Sequence, residues 1–91
     1  MEQEVTLLIV SDKHRDVESI LKALSDTAFS THKIVVASRI CEALERMREC
    51  AFDAVLLELE LSDSRGLSTL HAVFGIASAT PIIVLVTARN E

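Results

Sequence analysis

The chain has 91 residues, of which 49% are hydrophobic and 25% are charged, and this composition is typical of one small globular domain rather than of a disordered segment. Its net charge of −5 disfavours contact with a phosphate backbone, which needs a basic surface, so we expect no direct nucleic acid binding. The N-terminal residues lack the basic region of a signal peptide. Cys41 and Cys50 would lie on opposite faces of one helix, so we expect reduced thiols in a cytoplasmic protein.

Strand and helix signals alternate along the chain. The first strand is predicted at Val5–Val10, a nearly continuous apolar run rich in β-branched residues, as in a parallel strand that is covered on both faces. Further strands are predicted at residues 33–37, 54–59 and 82–86, the last of them opened by Pro81. Between the strands, apolar residues recur at helical spacing in three groups, which are Val17, Ile20, Leu21 and Leu24; Ile40, Leu44, Met47 and Ala51; and Leu67, Leu70, Phe74 and Ala77.

This alternation predicts a parallel sheet joined by crossover helices, within a single domain over residues 1–91. Ser38 is the predicted N-cap of the second helix. Residues 66–88 contain no Asp, Glu, Lys or Arg and are long enough to span a bilayer, but Pro81 and five Ser or Thr residues favour a helix followed by a strand, so we expect no membrane association. No helix follows the fourth strand, which indicates either a fragment or a flank that a partner chain covers.

Side chains that can carry chemistry collect where the strands end. Asp12 follows the first strand, Glu58 and Glu60 follow the apolar part of the third, and Thr87 follows the fourth. Because the carboxyl ends of parallel strands meet at one edge of a sheet, we expect Asp12, Glu58 and Thr87 to be neighbours. Carboxylate oxygens suit a hard cation such as Mg²⁺. The alternative is that these acidic residues only cap strand ends in solvent.

Three motifs, in register, resemble those of the receiver domain of two-component response regulators, of the chemotaxis-regulator type. LLIVSD is similar to the first strand and its acidic pair, VLLELELSDSRGL to the phosphoacceptor strand and its loop, and PIIVLVTA to the fourth strand with its switch threonine. The resemblance implies a flavodoxin-like, three-layer α/β/α fold with strand order 2-1-3-4, without the family's fifth strand and last helices. It also implies a histidine kinase or another signalling protein as the partner.

The resemblance assigns roles to single residues. It puts Glu58 at the phosphoacceptor position and Thr87 at the position of the hydroxyl that contacts the phosphoryl group. Asp12, Glu58 and the backbone carbonyl of Glu60 are the implied metal ligands, and Mg²⁺ is the implied cofactor. Gly66 takes the place of the glycine that starts the third helix.

Four departures from the family pattern weaken this chemistry. Glu58 replaces the acceptor aspartate, Ser11 replaces one member of the acidic pair, and Ser62 replaces a proline common in the loop. The lysine of the family's fifth strand lies beyond Glu91. Glu58 places its oxygens about one C–C bond further out, and a misplacement on the order of 1 Å can lower a rate about a hundredfold. Because Ser11 contributes no carboxylate, we expect Mg²⁺ binding to be weak at best.

These departures predict a pseudo-receiver, which is not an enzyme and signals by protein–protein contact without phosphorylation. The contact we expect is a homodimer through the exposed fourth strand. Glu58 either imitates the phosphorylated state by reaching toward Thr87 or is a solvated acid left after function was lost.

Two alternative functions stay open at this stage. The first is an active, Mg²⁺-dependent receiver that takes a phosphoryl group from a histidine kinase. The second is a small ligand-binding domain of flavodoxin type, which would bind a flavin phosphate in the loop after the first strand. That loop, SDKHRD, offers one serine and no glycine, which speaks against the second alternative.

Overall fold

The computed structural model describes residues 5–25, 32–76 and 79–85. Its elements follow the predicted order, and they are β1 (Val5–Val10), α1 (His14–Ser25), β2 (His32–Ala37), α2 (Ile40–Glu49), β3 (Ala54–Glu58), α3 (Leu67–Ile76) and β4 (Ile82–Leu85). β1 has the predicted bounds, whereas β2 begins one residue earlier and β3 ends one residue earlier than predicted. Ala77 and Val86, which were assigned to the third helix and the fourth strand, lie outside the described residues.

The four strands form one parallel sheet in the order β2-β1-β3-β4. Leu8 in β1 is paired with Val35 in β2 on one side and with Val55 in β3 on the other. Within the described part of the chain, β4 pairs only with β3, so β2 and β4 are the two edges of this sheet. The flavodoxin-like α/β fold with strand order 2-1-3-4 is therefore confirmed.

The main core lies between the sheet and the helices α2 and α3. It comprises Leu8, Val10, Ala37, Ile40, Ala43, Phe52, Val55, Leu57, Leu61 and Val73. Ile9 points to the opposite face of the sheet, because side chains alternate along a strand, and it is also fully buried. Both faces of β1 are therefore covered, which explains why its sequence is a continuous apolar run.

The predicted buried stripe of α3 is correct for Leu70, which packs against the core, and wrong for Leu67 and Phe74. Leu67 and Phe74 are 66% and 49% exposed, whereas Thr69 and Val73 are fully buried. The helix carries no Asp, Glu, Lys or Arg that would mark its solvent face, so apolar spacing alone allowed more than one choice of buried stripe. The tertiary structure instead turns Thr69 toward the loop that precedes the helix.

The predicted N-cap of α2 is wrong by one residue. The N-cap position is occupied by Arg39, whose side chain makes no capping hydrogen bond. Ser38 lies just before it, and its N–H and hydroxyl both donate to Oε1 of Glu42, at 3.2 and 3.1 Å. The helix ends at Glu49, so Ala51 lies beyond it.

The two cysteines do not pair. Cys41 lies in α2 and Cys50 is its C-cap, and both are exposed free thiols. In residues 5–25, 32–76 and 79–85, none of the helices has the length and apolar character needed to cross a bilayer. The uncharged stretch that begins at Gly66 instead forms α3 and then β4, as predicted.

Candidate functional site

The candidate site lies at the edge of the sheet where β1 and β3 end. Val10 is paired with Leu57, so the residues that follow each strand leave the sheet side by side. Ser11, Asp12 and Lys13 follow β1, while Glu58 is the last residue of β3. The predicted convergence of Asp12 and Glu58 is therefore present, and Thr87 lies outside the described residues.

Glu58 is a buried carboxylate. Only 4% of the residue is exposed, so it is not the solvated acid that one interpretation of the sequence assumed. Its Oε1 accepts a hydrogen bond from the backbone N–H of Glu60 at 3.4 Å and lies 3.8 Å from Nζ of Lys13. A carboxylate at this depth is stable only with a charged partner or hydrogen-bond donors, and both are present.

Lys13 brings the predicted site residues together. Its Nζ lies 3.7 Å from Oδ1 of Asp12 and 3.8 Å from Oε1 of Glu58, and it donates a hydrogen bond to the backbone carbonyl of Glu60 at 3.5 Å. The sequence interpretation did not identify Lys13 as a site residue. The available signal was a basic side chain directly after the acidic residue at a strand end.

Ser11 has a structural role at the site. The residue is buried, and its N–H donates to the carbonyl of Ala37 at 3.0 Å, which extends the contact between β1 and β2. Its hydroxyl accepts a hydrogen bond from the backbone N–H of Lys13 at 3.2 Å. Ser11 thus positions the backbone of Lys13, but it contributes no negative charge.

The loop between β3 and α3 folds back on itself. The N–H of Gly66 donates to the carbonyl of Leu59 at 2.9 Å, and the N–H of Leu61 donates to the carbonyl of Ser64 at 2.8 Å. Gly66 has a φ of 63°, a left-handed conformation that glycine adopts without strain, and α3 begins directly after it. The predicted place of Gly66 before the third helix is therefore correct.

Thr69 holds this loop from the side of α3. Its hydroxyl donates to the carbonyl of Leu59 at 3.0 Å and lies 2.8 Å from the hydroxyl of Ser64. The side chain is fully buried, so these contacts are shielded from water. Sequence reasoning assigned Thr69 no function, because a threonine in a helix without charged residues carries no distinguishing pattern.

Asp63 connects the same loop to α2. Its carboxylate accepts hydrogen bonds from the backbone N–H groups of Ile40 (2.9 Å) and Cys41 (3.2 Å) at the helix N-terminus. The hydrogen bond from Ile40, followed by those from Cys41, lowers the pKa of Asp63 from its ordinary value of 3.8, although some desolvation opposes this shift. Asp63, which lies 23 positions after Ile40 in the sequence, thus caps α2 in place of Arg39.

The described residues do not fit Mg²⁺ as they are arranged. Mg²⁺ demands nearly octahedral oxygen coordination at about 2.1 Å. The oxygens of Asp12, Glu58 and Glu60 are of the right chemical type, but the ammonium of Lys13 lies among them. Within the parts of the chain that the structure describes, no three His, Cys, Asp or Glu side chains form a group that could hold a metal ion.

A pocket of about 420 Å³ opens next to these groups. It is lined by Asp12, Lys13, Glu60, Leu61, Ser62 and Arg65. Glu58 is not part of the lining, in agreement with its burial. Charged side chains of both signs therefore face the solvent at this edge of the sheet, with a buried carboxylate beneath them.

Comparisons with protein-family models and with curated proteins found no match. Among solved structures, the chain is similar to the phosphorylated cyanobacterial phytochrome response regulator RcpA, with 24% identity and a TM-score of 0.82 over 97% of this chain and 69% of that chain. The MaeR response regulator bound to beryllium trifluoride has 21% identity and a TM-score of 0.74, over 94% and 70%. The non-phosphorylated HemR receiver domain from Leptospira biflexa has 25% identity and a TM-score of 0.71, over 88% and 62%.

These similarities agree with the four-stranded parallel sheet in the order β2-β1-β3-β4. They confirm, at the level of fold, the resemblance that the three sequence motifs indicate. The chain has the α/β fold of the receiver domains of response regulators.

Proposed function

We propose that this chain is a receiver-like signalling domain that acts by protein–protein contact in the cytoplasm, without phosphorylation and without enzymatic activity. The observation that supports this proposal is the state of Glu58, a buried glutamate that contacts Lys13 and the N–H of Glu60. The sequence resemblance assigns this residue to the phosphoacceptor position. A histidine kinase or another signalling protein is the proposed partner.

Two physical effects act against phosphorylation of Glu58. Phosphoryl transfer depends on positioning and on stabilisation of charge, and the longer glutamate side chain displaces the accepting oxygen. The Oε1 atom of Glu58 is also engaged by the N–H of Glu60 and lies near the ammonium of Lys13. A carboxylate that accepts a hydrogen bond and lies beside an ammonium is a weaker nucleophile, which raises the barrier further.

A second candidate function is an active phosphoacceptor that takes a phosphoryl group from a histidine kinase. The names of two similar structures favour it, because RcpA is described as phosphorylated and MaeR as bound to beryllium trifluoride. In that case the carboxylate of Glu58 would attack the phosphorus of the donor and form an acyl phosphate, while the donor's leaving group departs.

The proposal predicts that the protein takes up no phosphoryl group. The complete gene product is incubated with Mg²⁺ and a small-molecule phosphodonor, and its intact mass is measured. We expect no adduct on the wild type, and one phosphoryl adduct when Ser11→Asp and Glu58→Asp are combined, because both carboxylates of the family pattern are then restored. Ser62→Asp, which adds an exposed carboxylate to the neighbouring loop, is the control and is expected to remain unmodified.

An adduct on the wild type would instead establish the second candidate, an active receiver. If the double variant also stays unmodified while circular dichroism shows it folded, Ser11 and Glu58 are not the positions that account for the loss of this chemistry. The experiment therefore distinguishes a folded domain that lacks a working acceptor group from a domain that fails to fold.

We further propose that β4 is the edge through which two copies associate. Its side chains Ile83 and Val84 are 52% and 37% exposed, and β4 lies at the edge of the described sheet. An exposed apolar edge strand is a template for pairing with another chain. A protein that signals by contact needs such a surface, which is why this edge is part of the proposed function.

Light scattering coupled to size exclusion tests this contact at micromolar concentration. We expect a dimer for the wild type and a monomer for Ile83→Lys, because a charged side chain on an edge strand opposes pairing. Val36→Lys is the matched control, since Val36 is 46% exposed on β2 at the opposite edge of the sheet, and it should leave the dimer intact. A clean wild-type monomer would remove β4 as the contact edge.

A further inference from the structure

The ammonium of Lys13 lies where a divalent cation would be expected. Nζ is 3.7 Å from Oδ1 of Asp12, 3.8 Å from Oε1 of Glu58 and 3.5 Å from the carbonyl oxygen of Glu60. These are the three groups that the sequence motifs assign to metal coordination. We propose that Lys13 is a built-in counter-ion which replaces the metal, so that this site is complete without one. The inference deepens the proposed function and rests on it.

The backbone holds Lys13 in place on both sides. Its N–H donates to the hydroxyl of Ser11, and its carbonyl accepts the N–H of Val17 in the first turn of α1 at 3.1 Å. The lysine is therefore fixed between the end of β1 and the start of α1. Only the side chain has freedom, and with 29% of it exposed, most of its stem is packed against the protein.

The charges at the site explain why Lys13 stays there. The side chain of Glu58 is only 6% exposed, and a buried carboxylate is destabilised unless a positive charge or strong donors accompany it. Asp12 adds a second negative charge at the more exposed side of the ammonium. One lysine thus neutralises part of an acidic site that would otherwise attract a cation from solution.

With serine at position 11, as in the wild type, the Lys13 ammonium excludes Mg²⁺ from this site. A bound Mg²⁺ would need the same oxygens at about 2.1 Å and would place two positive charges beside the ammonium. Ser11 is the residue at which the family pattern has a further carboxylate, and it instead positions the backbone of Lys13. The serine and the lysine therefore act in the same direction, away from metal binding and toward a permanent internal ion pair.

Removal of the lysine charge is the direct test. The full chain is titrated with Mg²⁺ alone, and binding is followed by isothermal calorimetry and by melting temperature, with KCl added to equal ionic strength as the reference. The wild type should show no saturable binding over the titrated range. Lys13→Gln should bind Mg²⁺ saturably, at least tenfold more tightly than the weakest affinity that the titration can detect, and should gain thermal stability from it. Lys33→Gln is the matched control, because it removes an exposed lysine from β2 with the same change in net charge.

Two further variants keep the test decisive. Lys13→Arg retains the positive charge and should behave like the wild type. Lys13→Met is a second neutral variant, to be used if Lys13→Gln does not fold. Equal Mg²⁺ affinity in the wild type and in the folded neutral variant would overturn the proposal. It would also be overturned if neither protein bound Mg²⁺, since Lys13 would then not be what excludes the ion.

The same samples distinguish this inference from the proposed function. Each is incubated with Mg²⁺ and a small-molecule phosphodonor, and its intact mass is measured. If the wild type binds Mg²⁺ but takes up no phosphoryl group, the role of Lys13 is refuted while the phosphorylation-independent function stands. A phosphoryl adduct on the wild type refutes the proposed function itself.

Discussion

Thr69→Val is expected to destabilise the protein by roughly 1–2 kcal/mol, because it removes a buried hydroxyl and replaces it with a methyl group of similar size. The Thr69 hydroxyl donates to the carbonyl of Leu59 and lies 2.8 Å from the Ser64 hydroxyl, so both groups lose a partner that water cannot readily replace. The loss in free energy of unfolding stays near the lower end of the range for a buried hydrogen bond, because the Leu59 carbonyl also accepts the N–H of Gly66. In thermal unfolding, the melting temperature of Thr69→Val should be lower than that of the wild type by roughly 4–16 °C.

Ser68→Ala is the matched control for Thr69→Val. It removes a hydroxyl from the adjacent residue of α3, which is exposed, and should change stability by no more than about 0.5 kcal/mol. Hydrogen exchange adds a local readout, because the amides of Leu61 and Gly66 both bond within the loop that Thr69 holds. We expect faster exchange at these amides in Thr69→Val. Equal stability of the two variants would show that Thr69 does not anchor the loop.

Asp63→Ala is expected to lower the melting temperature and to loosen the start of α2. The Asp63 carboxylate accepts the N–H groups of Ile40 and Cys41, which no residue within α2 can satisfy, and its negative charge is favourable at a helix N-terminus. Faster hydrogen exchange at these two amides should accompany the change in stability. The effect should reach the β3–α3 loop as well, because Asp63 connects that loop to α2.

The contribution of Asp63 to stability should depend on pH. Its pKa is lowered from 3.8 in the folded protein, chiefly by the Ile40 hydrogen bond and then by those from Cys41. Folding therefore favours the charged form, and the stabilisation is fully present above pH 3.8 and is lost as the pH falls through the lower folded value. The difference in melting temperature between the wild type and Asp63→Ala should shrink correspondingly in acid.

Glu45→Ala controls for the loss of one negative charge. Glu45 is an exposed carboxylate within α2, away from the helix N-terminus. We expect it to leave both the melting temperature and the exchange rates of Ile40 and Cys41 close to those of the wild type. If the difference in melting temperature between the wild type and Asp63→Ala stays constant from neutral pH to about pH 3, the capping role of Asp63 is contradicted.

Together, Thr69 and Asp63 describe how the candidate site is supported. The loop after β3 is held on one side by Thr69 of α3 and on the other by the N-terminus of α2. Glu60, whose carbonyl accepts the Lys13 ammonium, lies in this loop. The position of the site therefore depends on two helices that contribute no chemical group to it.

Local pattern alone predicted the elements and a parallel sheet, while the strand order came from the resemblance of three motifs to a known family. The continuous apolar runs of β1 and β3 identify buried parallel strands. Both faces of such strands are covered, so apolar and polar residues do not alternate along them. The order of strands and helices restricts the topology to a few arrangements, and three motifs in register selected one of them. The approach of Asp12 to Glu58 was equally predictable, since the carboxyl ends of neighbouring parallel strands meet.

The tertiary structure decided what the local pattern left open. The buried face of α3 was ambiguous because the helix has no charged residue, and only packing selected Thr69 and Val73 over Leu67 and Phe74. The capping of α2 by Asp63 joins residues 23 positions apart, which no local motif encodes.

The partner of Glu58 was decided in the same way. The sequence placed a carboxylate at the end of a buried strand and gave reasons to expect a weak metal site there. Only the fold brings the Lys13 ammonium within 4 Å of two carboxylates and the Glu60 carbonyl. Local patterns specify elements because periodicity is local, whereas pairing of charges at a site depends on where distant segments meet in space.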